Sequence, residues 1–186
     1  KNFSVFALQK KVFTRSNVGL IFVDRESLAV DEFQQLFNPN AYNRLIGADY
    51  NLNSADGKWT GKVFYHRTFE SEKKESPYAF NAYVLYSDIH WRWSFSFQDI
   101  GPDFNPVVGF VPRVNYRRIN PDVSYLFYPN SNSINRHGPK LEYERFWNEE
   151  IGQTDQNFNL GYLVRFNSLS ELEITQNNKY VYLFND

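Results

Sequence analysis

From Trp91 to Gln98 the chain reads Trp-Arg-Trp-Ser-Phe-Ser-Phe-Gln, aromatic at every odd position and polar at every even one. Successive side chains of a strand point to opposite faces. The run therefore predicts a β-strand with an aromatic wall (Trp91, Trp93, Phe95, Phe97) and a hydrophilic wall that includes Arg92. The same period of two recurs along most of the chain. It predicts strands over Phe3–Phe13, Val18–Asp24, Arg44–Leu52, Trp59–Phe69 and Tyr78–Tyr86 ahead of this segment. After it come Gly109–Arg117, Val123–Tyr128, Leu141–Trp147, Phe158–Phe166, Leu172–Thr175 and Tyr180–Phe184. Asp56-Gly57, Asn120-Pro121-Asp122 and Gln176-Asn177-Asn178 carry turn chemistry. Asp99–Pro106 and Pro129–Pro139 read as loops, and Val30–Phe37 as a short helix within a polar stretch.

Strand length bears on the environment. Several candidates run to about nine to eleven residues, the span of a tilted transmembrane strand. Strands of soluble domains average about five or six. Tight turns alternating with longer polar loops fit a barrel with turns at one end and loops at the other.

Composition sharpens this picture. The chain holds 18 Phe, 13 Tyr and 4 Trp among 186 residues, types that favour strands and half-wet interfaces. Mean hydropathy is nevertheless −0.57, and no run approaches the about 20 apolar residues of a membrane-spanning helix. A barrel needs only alternate residues apolar. Twenty basic residues balance 21 acidic ones without a block of like charge, unlike a nucleic-acid-binding or basic membrane-surface protein. There is no cysteine for disulfides or thiolate metal sites.

The expectation is an all-β fold: an antiparallel up-and-down transmembrane β-barrel, or a multi-strand segment of a larger one. It is expected to occupy residues 1–186 as a single domain without linker or internal repeat. The chain begins at Lys1 without Met and ends Asn-Asp after its last apolar strand, which suggests an internal piece of a longer protein.

On the barrel reading the polar walls gather Asp49, Lys62, His66, Arg92, Arg113, Arg117 and Arg165 into a charged, hydrated interior, joined by Ser94, Gln98, Glu142 and Glu144. Trp91, Trp93, Phe95, Phe97, Phe110 and Tyr116 face lipid. The plainer alternative is a one-sided sheet whose polar residues meet solvent. His66, His90 and His137 lack the close spacing of a zinc site. Glu171 and Glu173 share a strand face as a glycosidase pair might, although a solvated Glu-x-Glu edge is much the commoner explanation. Without a nucleophile elbow or phosphate-cradling loop, no catalytic residue, metal or cofactor is expected.

The segment from Asp99 to Arg113, Asp-Ile-Gly-Pro-Asp-Phe-Asn-Pro-Val-Val-Gly-Phe-Val-Pro-Arg, is more specific. An aromatic strand running into Phe-x-Pro-x-x-Gly-Phe-x-x-Arg resembles the signature of a Bacteroidota outer-membrane family, the domain of unknown function 5916. Asn17-Val18-Gly19-Leu20, Asp24-Arg25-Glu26 and Gly47-Ala48-Asp49-Tyr50-Asn51 look like its preceding strands. The likeness covers roughly residues 17–146. It implies a barrel in the bacterial outer membrane, with membrane lipid and other envelope proteins as partners. It also implies a carbohydrate-binding-family-9-like domain elsewhere in the protein, through which glycans would be met. It supplies no catalytic residues, and no nucleic-acid partner is expected. Two other readings compete: a soluble β-sandwich or jelly roll binding glycans through exposed Trp91 and Trp93, and a β-rich glycoside hydrolase using Glu171 or Glu173.

Overall fold

The computed structural model describes residues 2–26, 42–109 and 111–183. The predicted helix at 30–37 and Phe110 lie outside these. The fold is all-β and antiparallel: ten strands follow one another in a single up-and-down sheet, each beside its neighbours in sequence. They are β1 (Asn2–Val12), β2 (Ser16–Glu26), β3 (Tyr42–Asn53), β4 (Trp59–Glu70), β5 (Tyr78–Ser87), β6 (Trp91–Ile100), β7 (Tyr116–Tyr125), β8 (Ile134–Asn148), β9 (Gly152–Phe166) and β10 (Glu171–Val181). The order is not closed. β1 and β10 stand at its ends and are exposed along both faces.

Several expected boundaries move: β8 begins inside the expected loop Pro129–Pro139, β9 begins six residues before Phe158, and three predicted elements change in kind. Of the predicted strand Gly109–Arg117 only Tyr116 and Arg117 lie in a strand, β7; before them runs a long connection, described over 101–109 and 111–115, in which Asn115 turns the backbone with φ 59°. The predicted turn at Asn120-Pro121-Asp122 lies inside β7. Its register against β8 runs on from Ile119↔Arg145 to Asp122↔Glu142, placing Pro121 opposite Tyr143. Proline has no N–H to offer the ladder, and Asn120 Nδ2 donates to the Tyr143 carbonyl instead, at 2.9 Å. The predicted turn at Gln176-Asn177-Asn178 is likewise part of β10, where Asn177 Nδ2 donates to Asn157 and Asn159 of β9.

The chain packs as two compact units. The first comprises Lys1–Leu52, Lys62–Ala82 and Gln98–Tyr116; the second comprises Asn53–Gly61, Tyr83–Phe97 and Arg117–Asp186. The first holds the only cluster of buried apolar side chains among the described residues: Val23, Leu45, Ala79, Ile100 and Phe104, with Ile21, Phe64, Val111 and Tyr116 against it. In the second, the buried side chains are polar, Ser94 and Thr154.

Candidate functional site

The two faces of the sheet are the candidate site, and their polarity is inverted relative to a protein that hides its apolar face from water. In β6, Phe95 is 41 % exposed while neighbouring Ser94, on the opposite face, is 7 % exposed. Ser94 Oγ donates to Asp122 of β7. The deepest side chain among the described residues is Thr68 at 1 %, and Asn43 and Asn81 are also buried. Val18, Leu20, Ile46, Val63, Tyr65, Leu160 and Tyr162, all on internal strands, are exposed.

Cross-strand register shows how each face is built. In the first unit, one face carries the rows Lys10–Val18–Tyr50, Leu8–Leu20–Ala48 and Phe6–Phe22–Ile46. The next row outward is charged: Arg44 meets Asp24 at 2.8 Å and Glu26 at 2.9 Å and lies over the Tyr42 ring. From Ser16 to Asp24 along β2 is about 27 Å at the usual strand rise, and the ion pairs bound one edge of the apolar band. The second unit repeats the arrangement, with Val123–Leu141–Leu160 and Pro139–Tyr162–Ile174 on one face. On the opposite face, Lys140–Gly161–Thr175 lies between those rows and Asp122–Glu142–Asn159–Asn177 flanks the first of them.

Two sets of aromatic contacts complete the second unit. Trp59 meets Tyr86 (5.0 Å) and Trp93 (5.3 Å), and Trp91 meets Tyr125 (4.7 Å), which in turn meets Phe127 (4.7 Å). Phe127 stacks on His137, whose Nδ1 lies 2.6 Å from the Tyr162 hydroxyl. The rings gather near the connections 54–58, 88–90 and 126–133. In the second of these, Asp88 accepts the backbone N–H groups of His90 and Trp91 and the Tyr86 hydroxyl. Those bonds hold its carboxyl below the usual range, the Trp91 N–H contributing most.

The expected interior residues separate into three groups. Asp49, Lys62 and His66 come together around a recess of about 320 Å³ in the first unit. Asp49 leans over Gly19 and His66 over Gly47, sites where a β-carbon would collide with them. Arg92 shares its face with Ser94, and Arg165 pairs in register with Glu171. Arg113 and Arg117 depart from the expected polar wall. Arg113 belongs to the 101–115 connection and lies over the Tyr116 ring. Arg117 alternates with Ile119, Val123 and Tyr125, opposite Asp122, and pairs with Glu149 at 2.9 Å. The polar side of β7 instead carries Arg118, which Glu144 engages through both Nε (2.7 Å) and Nη2 (2.5 Å).

Trp91, Trp93, Phe95 and Phe97 lie together on the face opposite Ser94, as the alternation predicts. Tyr116 does not join them: its ring packs against the buried apolar cluster and its hydroxyl donates to Gln98 at 3.3 Å. Moving the start of β7 shifted the alternation by one residue, which turns every side chain over. The expectation missed Asn43, Thr68 and Glu70, whose importance depends on a segment far along the chain.

Among the described residues no group of His, Cys, Asp or Glu is arranged to hold a metal ion. No helix is long and apolar enough to cross a membrane, which says nothing about crossing by strands. Fold and site together define an all-β protein built on one antiparallel sheet, with an exposed apolar face and an opposite face whose buried side chains are polar except for one apolar cluster in the first unit. No family model, curated protein or solved structure matches the chain.

Proposed function

We propose that the chain forms part of a transmembrane β-barrel of the outer-membrane type, serving an envelope assembly as scaffold or pore rather than as an enzyme. The observation that carries this reading is the inverted burial of alternate residues. Singly exposed apolar side chains are ordinary on any protein. Continuous apolar rows over neighbouring strands are not, because water penalises each buriable Leu or Phe by about 1.5–3 kcal/mol. Lipid removes that penalty, and it leaves the polar wall facing a hydrated interior. In the first unit the ion pairs above the Phe22–Ile46 row, and in the second the Trp and Tyr side chains near the connections, each suit a membrane boundary. A soluble glycan-binding sandwich would pack its apolar faces together, and the buried Ser94, Thr68 and Asn43 argue against that use of the sheet.

Extraction of bacterial membranes at alkaline pH tests the proposal, followed by electrophoresis of heated and unheated samples. The protein should stay with the membrane and migrate differently after heating. Recovery as a monomer in detergent-free buffer would refute the barrel reading and restore the glycan-binding one.

A further inference from the structure

The connection between β6 and β7 is long, yet much of it is seated against the sheet. Phe104 lies in the buried cluster with Val23, Leu45, Ala79 and Ile100. Val23, Leu45 and Ala79 occupy the face opposite Phe22, Ile46 and Phe80, so the connection crosses the same face that carries Asp49 and His66. Its backbone is pinned along its first half. Gly101 N donates to the Tyr78 carbonyl (2.9 Å), in a place where any β-carbon would strike the Ser76 carbonyl. Asp103 accepts the Ser76 N–H at 3.1 Å.

Farther on, one side chain of the sheet replaces a missing strand partner. Asn43 Nδ2 donates to the Asn105 carbonyl (2.8 Å) and to Glu70 (2.9 Å), while Asn43 Oδ1 accepts the Val107 N–H (3.4 Å). Asn105 Nδ2 closes the ring by donating to the same Glu70 oxygen at 2.8 Å. Buried polar groups carry a cost unless satisfied, and this set satisfies each other. Pro102 and Pro106 remove two N–H groups that would otherwise need partners.

We propose that residues 101–109 are a built-in plug. They close the interior face of the first unit, held there by the Asn43–Glu70–Asn105 latch and by Phe104. This rests on the barrel reading and deepens it: the resting protein is a closed scaffold, and conduction requires the latch to open.

The absence of native cysteine allows a clean thiol test on the full chain reconstituted in phosphatidylethanolamine–phosphatidylglycerol vesicles. Ala79→Cys puts a small thiol at a position that is 3 % exposed beneath the segment, and Val108→Cys puts one at an exposed position on it. With a soluble maleimide, position 79 should label about tenfold or more slowly than position 108, as expected for a site reached only through local opening. Adding Asn43→Ala and Asn105→Ala should bring the two rates together. In planar bilayers the wild type should give no unitary steps, and the latch variant should give them. Equal labelling at 79 and 108 in the parent, or equal conductance with and without the latch, would overturn the plug. Failure of every variant to insert would count against the barrel reading, while labelling in detergent would still decide whether the segment is seated.

Discussion

Leu160 and Asn159 are neighbours on β9 at the same depth and on opposite faces. Leu160 is 46 % exposed between Phe158 and Tyr162 and pairs with Leu141. Asn159 pairs with Glu142 and Asn177 and, with Lys140 and Glu173, lines a polar recess of about 180 Å³. Changing each to arginine keeps strand, depth and new charge constant and varies only the face. If Leu160 meets lipid near mid-bilayer, Leu160→Arg should cost about 2–4 kcal/mol. If it meets water, about half of a leucine's burial is at stake, and the cost should be about 1 kcal/mol or less. Asn159→Arg exchanges amide contacts for attraction to Glu142 and Glu173 and should cost about 1 kcal/mol or less in either case. Urea unfolding of vesicle-reconstituted protein, followed by tryptophan fluorescence, gives both differences on one scale. Equal effects, or a Leu160→Arg cost near that of Asn159→Arg, would refute the inside–outside assignment. The pair Phe95 and Ser94 is a poorer control, because an arginine at buried Ser94 would also have to displace its contact with Asp122.

Trp59, Trp91 and Trp93 belong to the aromatic sets near the connections, so lipids brominated close to the headgroup should quench their fluorescence more than lipids brominated at the chain ends. Uniform quenching would remove them from the interface. Glu144→Gln should lower stability by about 1–3 kcal/mol, above the worth of a surface pair and below that of a fully buried one. The two side chains are 25 % and 30 % exposed, and urea midpoints would measure the change. Asp88, held below the ordinary carboxylate value of 3.8 by the Trp91 and His90 N–H groups and the Tyr86 hydroxyl, stabilises its turn fully above that value. The contribution should be lost as pH falls through the lowered value. An acid titration read from the Trp91 amide signal should show the transition, and Asp88→Asn should abolish it.

The strand content was legible because period two survives wherever one face differs from the other. β4, β5 and β6 begin at the predicted residues and end within two of the predicted limits. The failures share a cause. Asn120-Pro121-Asp122 and Gln176-Asn177-Asn178 look like turns because their side chains are good partners for their own backbone. In the folded sheet, those side chains find partners across the ladder: Asn120 on Tyr143, Asp122 with Ser94, and Asn177 on β9. A polar interior converts turn-forming residues into strand residues, and local sequence does not reveal whether the neighbouring strand will supply a partner.

The same reasoning explains why the polar wall could be foreseen in β3, β4 and β6 but not in β7. Asp49, Lys62, His66 and Arg92 sit in uninterrupted alternation, so their face follows from their neighbours. Arg117 and Tyr116 sit just after a connection whose end is set by tertiary contacts: Phe104 in the apolar cluster, Asn105 on Asn43 and Glu70, and the Asn115 turn. A one-residue uncertainty there exchanges the faces, placing Arg118 and Tyr116 on the polar side and Arg117 on the other. Releasing the connection with Asn43→Ala and Asn105→Ala should leave the β7–β8 pairing intact, since that register is held independently by the ladder from Arg117↔Trp147 to Ser124↔Lys140 and by Asn120–Tyr143. If the latch variant instead lost the Arg118–Glu144 coupling in a double-mutant cycle, seating of the connection and register of β7 would be one cooperative event rather than two.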